Sequence, residues 1–74
     1  MSRVPVVTFR EAARAFRDAG FVEIRQRGSH VLFEHSDGRS FVLPNHPGRD
    51  IAPPLLRDIL NDVGISLDEF RKLL

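Results

Sequence analysis

The stretch Phe21-Val22-Glu23-Ile24-Arg25-Gln26-Arg27-Gly28-Ser29-His30-Val31-Leu32-Phe33-Glu34-His35-Ser36-Asp37-Gly38-Arg39-Ser40-Phe41-Val42-Leu43 decides the fold. From Phe21 to Arg27 the residues alternate, with Val22, Ile24 and Gln26 on one side and Glu23, Arg25 and Arg27 on the other. Gly28-Ser29 is a two-residue turn. His30 to His35 is a second strand, in which Val31 and Phe33 face away from His30, Leu32 and Glu34. Ser36-Asp37-Gly38-Arg39 turns the chain again, with Asp37-Gly38 as the hairpin signal. Ser40 to Leu43 is the third strand, and Pro44 ends it. Turns this short join antiparallel neighbours, so the stretch predicts a three-stranded antiparallel meander.

On the N-terminal side, Thr8-Phe9-Arg10-Glu11 is a capping box that opens a helix. Phe9, Ala12, Ala13 and Phe16 recur at helical spacing as one apolar face, and Gly20 stands at the helix end. Arg10, Arg14 and Arg17 form a stripe beside that face, the ordinary reading of which is a solvated flank. On the C-terminal side, Asn45-His46-Pro47-Gly48-Arg49-Asp50 is a loop. Pro53-Pro54 opens a second helix, where first-turn amides have no partner to lose. Leu55, Leu56, Ile59, Leu60 and Val63 line its face, and Gly64 closes it. Ser66-Leu67-Asp68-Glu69 is a second capping box, flanked by Ile65 and Phe70 as a hydrophobic staple, and starts a short terminal helix. The order is α-β-β-β-α with a short C-terminal helix, an α+β fold. Two amphipathic helices need one apolar surface, and one face of the sheet supplies it. The other face is left open, at least in part.

The chain has 74 residues and no cysteine. We read residues 1–74 as a single domain, with residues 1–7 as an N-terminal extension; a core of this size is marginal. The lack of cysteine excludes disulfides, thiol nucleophiles and Cys-based zinc sites. No apolar run approaches a membrane span and no signal peptide opens the chain, so a cytoplasmic protein with no membrane partner is expected. Residues 1–49 carry eight arginines against five acids, whereas residues 50–74 carry three basic and five acidic residues. A basic first half rich in arginine suits an anionic partner such as nucleic acid.

Few residues can carry chemistry. His30, His35 and His46 show no metal-ligand spacing, and no phosphate-cradling loop or nucleophile elbow is present. No metal and no cofactor are expected. Ser29 and His30 are strand neighbours and point to opposite faces, which rules out a hydrolase dyad. His30 starts a strand directly after Gly28-Ser29, where the glycine lets a partner approach closely. Imidazole suits proton transfer at neutral pH, and Arg25 and Arg27 stand near to hold phosphates. The competing reading is a surface histidine without a role. His35 reads as a surface turn residue and His46 as a loop histidine. Phe33 and Phe41 read as core, although exposed aromatics on a sheet would suggest base stacking.

From about Val4 to Leu74 the sequence resembles the HicA toxin family, the small mRNA-cleaving halves of bacterial HicA–HicB toxin–antitoxin pairs. The resemblance rests on an ordered set of landmarks. These are Ala19-Gly20-Phe21, Arg27-Gly28-Ser29-His30, Asp37-Gly38-Arg39, Leu43-Pro44-Asn45-His46, Ile59-Leu60, Val63-Gly64-Ile65-Ser66 and Glu69-Phe70. It implies a fold like a double-stranded RNA-binding domain, with helices on one face of a three-stranded antiparallel sheet. It also implies a ribonuclease whose key residue is the histidine of Gly-Ser-His, His30, with Gly28 as the motif's glycine. The family's second histidine corresponds to His46. Two positions depart from the pattern. Ala52-Pro53-Pro54-Leu55 replaces a glycine and threonine before the second helix, and proline has no amide to offer a phosphate. Val31 stands where many members carry a second histidine in succession.

The leading expectation is the toxin of a type II toxin–antitoxin system: a metal-independent endoribonuclease of mRNA with the single catalytic histidine His30. Arg25, Arg27, Gly28, Ser29, His46 and Arg49 would bind the RNA, and a HicB-type antitoxin would cover the active site. The alternative is a non-catalytic RNA-binding module that uses the same surface. A third reading is a protein-interaction domain whose RNA surface is vestigial.

Overall fold

Thr8 opens the first helix, α1 (Phe9–Asp18), in the computed structural model, which describes residues 3–74. The Glu11 amide donates to the Thr8 hydroxyl at 3.2 Å, and the Thr8 amide donates to Glu11 Oε1 at 3.0 Å, closing the capping box read from the sequence. Ala12, Ala13, Ala15 and Phe16 are buried and Phe9 is half-buried. Ala15 widens the face that the helical spacing predicts.

The sheet follows as β1 (Phe21–Arg27), β2 (His30–His35) and β3 (Ser40–Pro44), in the order β1-β2-β3 with both pairings antiparallel. Val31, Phe33, Phe41 and Leu43 are buried towards the helices. Their strand neighbours His30, Leu32, Glu34 and Val42 stand on the opposite, open face. The alternation expected within β1 does not hold. A bulge between Glu23 and Arg25 makes Ile24 and Arg25 together oppose Leu32. Val22, Arg25 and Arg27 therefore pair with Glu34, Leu32 and His30 on the open face. Glu23 and Gln26 instead pair with Phe33 and Val31. Glu23 lies towards the helices, where its Oε1 accepts from Arg17 Nη1 at 2.6 Å.

Pro53 and Pro54 occupy the first turn of α2 (Pro53–Val63), which buries Leu56, Ile59, Leu60 and Val63. The capping box at Ser66 starts α3 (Leu67–Leu73), and the staple residues Ile65 and Phe70 are both buried. Phe16 stands amid four aromatic rings, with centroids 6.0 Å from Phe21, 6.3 Å from Phe33, 4.4 Å from Phe41 and 5.3 Å from Phe70. Truncating such a ring costs about 3–5 kcal/mol, a large part of what holds a small domain folded. Helices on one face of a three-stranded antiparallel sheet give the α+β order that the sequence predicts, a fold like a double-stranded RNA-binding domain, as the resemblance implies.

The N-terminal stretch takes part in this core. Met1 and Ser2 lie outside the described residues, but Val4 and Val7 are buried. The Ile51 amide donates to the Val7 carbonyl at 2.8 Å, and Thr8 and Asp50 form an isolated antiparallel bridge. Arg71 of α3 donates to the Arg3 carbonyl. Among the described residues no helix is long and apolar enough to cross a membrane.

Candidate nucleic-acid interface

The Gly28-Ser29 turn occupies the two positions between β1 and β2 and sets His30 at the first position of β2. Nothing lies within 4 Å of where a Gly28 side chain would begin, so the space above the turn is open to a partner. Gln26 Nε2 donates to the Gly28 carbonyl at 2.9 Å and holds the turn from inside. The Asn45 amide donates to the Ser29 carbonyl at 2.6 Å and ties the turn to the end of β3.

His30 is exposed and pairs with Arg27 on one side and Pro44 on the other. Arg25, Arg27, His30, Leu32 and Val42 line a shallow hollow of about 200 Å³ on the open face. Arg25 and Arg27 share this face by ordinary alternation, and the bulge before them brings Val22 to the same side. Among the described residues the His30 ring has no hydrogen-bond or ion-pair partner, and neither do the guanidiniums of Arg25 and Arg27. Two arginines and an imidazole, unpaired and solvent-facing, have the chemistry to receive an anionic group such as a phosphate.

Of the residues singled out in the sequence, His46 and Arg49 lie elsewhere. They line a groove of about 430 Å³ with Thr8, Phe9, Arg10 and residues 45–50, and an adjoining hollow of about 260 Å³ with Pro44 and residues 50–52. The two regions meet at the Ser29–Asn45 hydrogen bond. Arg10, which its helical spacing reads as a solvated flank, also lines this groove. Helical spacing does not reveal the loop that it faces. The arginine stripe itself divides: Arg17 pairs with Glu23, Arg14 lines a hollow with Glu11 and Leu73, and Arg10 faces the His46 loop.

His35 is corrected as well. It is half-buried, its ring edge-on to Phe21 at 5.1 Å, and its Nδ1 accepts from the Asp37 amide at 3.1 Å. It closes a turn and packs on the core. Phe33 and Phe41 stack with centroids 5.0 Å apart and 8° between their planes, and both are buried. Neither ring is therefore available on the open face for base stacking. The exposed apolar groups of that face are Val22, Ile24 and Val42.

Glu11 and Asp37, neither of them beside His30, have displaced pKa values. Glu11 is held below its ordinary range by the Thr8 amide and then the Thr8 hydroxyl. Asp37 is lowered first by the Arg39 amide, then by the Arg39 side chain and its charge and by His35, against a desolvation penalty. Among the described residues no three His, Asp or Glu side chains cluster as metal ligands. The first turn of α2 offers proline at its opening positions, and Ala52 before it gives no side-chain cap, so a phosphate finds few donors there.

A search of curated proteins found no match. A family model described as "HicA toxin of bacterial toxin-antitoxin" matches residues 9–65, which takes in α1, the whole sheet with the Gly28-Ser29-His30 turn, the His46 loop and α2. With more than half of its length matched, and with the fold expected of that group, the chain belongs to the HicA toxin family of bacterial toxin–antitoxin systems.

Proposed function

We propose that this toxin is a metal-independent endoribonuclease of mRNA with His30 as its single catalytic residue. One observation carries the reading: His30 stands unpaired and exposed on the open sheet face, opposite Arg27, in a hollow shared with Arg25 and beside the accessible Gly28 turn. An RNA phosphate seated on the two guanidiniums brings its 2′-hydroxyl and its 5′-oxygen within reach of the imidazole. As the 2′-oxygen bonds to phosphorus, its proton passes to a base. As the bond from phosphorus to the 5′-oxygen breaks, that oxygen takes a proton from an acid. His30 serves one of these transfers directly and water serves the other. Arg25 and Arg27 stabilise the charge that builds on the phosphate oxygens, the larger electrostatic part of such catalysis. Gly28 and Ser29 admit the strand, and His46 and Arg49 extend its path. Recognition rests on phosphate and shape, since among the described residues the open face carries no phenylalanine ring.

A toxin–antitoxin family implies an antitoxin partner. A HicB-type antitoxin would cover His30, Arg25 and Arg27, and an acidic surface on it would match these groups and speed association.

A second reading is favoured by the bare His30 ring. With no neighbour to orient it, this histidine also fits a non-catalytic RNA-binding module. The experiment is incubation of the protein with a long, partly structured RNA in EDTA, beside His30→Ala. The expected result is cleavage by the wild type and a loss of about 10²–10⁴-fold in the variant, with binding retained. Binding without cleavage by either protein would assign the module instead, and equal cleavage by both would remove His30 from the mechanism.

A further inference from the structure

The groove between the start of α1 and the loop after β3 is separate from the hollow at His30, and two arginines and a histidine line it: Arg10, Arg49 and His46. Its geometry is built. Residues 46–49 read His-Pro-Gly-Arg, with proline at the second position, Gly48 at φ +74°, and the Arg49 amide donating to the His46 carbonyl at 3.1 Å. These are the features of a type II turn, whose ends lie within about 7 Å of each other. The turn therefore holds His46 and Arg49 side by side. Its two flanks are fixed as well. The Asn45 amide is bonded to Ser29, and the Ile51 amide is bonded to Val7 beside the Thr8–Asp50 bridge. That bridge sets the start of α1, and so Arg10, along the groove with the turn.

Among the described residues neither Arg10 nor Arg49 has a carboxylate partner. Asp50 also lines the groove, one carboxylate against two guanidiniums. The capping amide and hydroxyl of Thr8 are both engaged with Glu11. The arginine forks are free donors, and they match phosphate bidentately. The groove leads to the His30 hollow through Pro44, which pairs with His30, and Asn45, which is bonded to Ser29.

We propose that Arg10 and Arg49, with His46, form a second phosphate subsite that holds the RNA strand a few nucleotides from the phosphate at His30. This rests on the RNA-cleaving reading above and adds Arg10 of α1 to the RNA-contacting residues. The strand then runs from the open sheet face, over the Ser29–Asn45 hydrogen bond, to the start of α1.

The test uses the full chain carrying His30→Ala, which binds RNA without cutting it. Affinity for a single-stranded RNA is measured by fluorescence anisotropy between about 50 and 200 mM salt. Adding Arg10→Gln is expected to weaken binding several-fold and to reduce the slope of log affinity against log salt by about 0.7, one phosphate contact on a single strand. Arg49→Gln should do the same. Arg14→Gln, on the same helix but outside the groove, should leave the slope unchanged. Thermal unfolding of each variant shows that it is folded. If the His30→Ala protein binds RNA with a salt-dependent affinity and a folded Arg10→Gln variant keeps the full slope, the subsite is wrong while the RNA-binding reading stands. If the His30→Ala protein binds no RNA, the RNA reading fails and takes the subsite with it.

Discussion

Gly20 shows how much one missing Cβ can organise. It follows the C-cap Ala19 of α1 with φ +100°, where a side chain is strained. A Cβ there would also stand 2.7 Å from His35 Nε2. That ring cannot move away freely, because it packs edge-on against Phe21 and its Nδ1 holds the Asp37 amide. Gly20 and His35 thus lock the end of α1 to the turn between β2 and β3. Asp37-Gly38 is a local signal and marks the turn. Strand alternation puts His35 on the face of Val31 and Phe33, but its place beside that turn reads as surface, and the space it fills is made by a distant glycine. Gly20→Ala is expected to cost about 2 kcal/mol, from backbone strain and displacement of the ring. Part of that cost belongs to the pair. In a His35→Ala background the same substitution should cost about 1 kcal/mol less. Denaturant unfolding of the four proteins of the cycle measures this, and strictly additive costs would show that the two residues are not coupled.

Elements whose signals are local were legible in the sequence, and those set by partners were not. Both capping boxes formed as read, because each closes between residues three apart. The staple residues Ile65 and Phe70, five apart, are both buried as read. The register of β1 was misread, since a bulge is a relation between two strands and strict alternation in one strand cannot reveal it. The error matters for the site, because alternation separated Val22 from Arg25 and Arg27, which share the open face. The history of the bulge can be tested by removing it. Ile24 has no pairing partner of its own and is 50% exposed, so deleting it leaves every observed β1–β2 pair in place. The deletion should give a folded protein within about 1 kcal/mol of the wild type, with unchanged RNA affinity. Thermal unfolding and RNA titration read both. Loss of RNA affinity in a folded deletion variant would mean that the added twist of the bulge, and not only its register, aims Arg25.

At the scale of the whole molecule, one core joins both ends of the chain, with Val4 and Val7 buried in the same cluster as Phe70. A small domain built this way unfolds as a unit, so a loss at one helix cap appears in the global transition. Glu11 and Asp37 both titrate below their ordinary values of 4.5 and 3.8. A carboxyl whose folded pKa is depressed adds stability that is fully present above its unfolded pKa. That stability is lost as the pH falls through the lower folded value. Both contributions are therefore intact at neutral pH and decline only below about pH 4.5. At the same time the remaining carboxylates are neutralised while the arginines stay charged, and self-repulsion grows. Glu11→Gln separates the cap from this general effect. Glutamine at the third helical position can still bond the Thr8 amide but does not titrate. At about pH 7 the wild type should be the more stable of the two. The gap in Tm should narrow below about pH 4.5 and close once Glu11 is protonated in the folded state. Parallel curves down to the acid transition would mean that the Glu11 charge contributes nothing to the cap and that acid unfolding is driven by the other carboxylates.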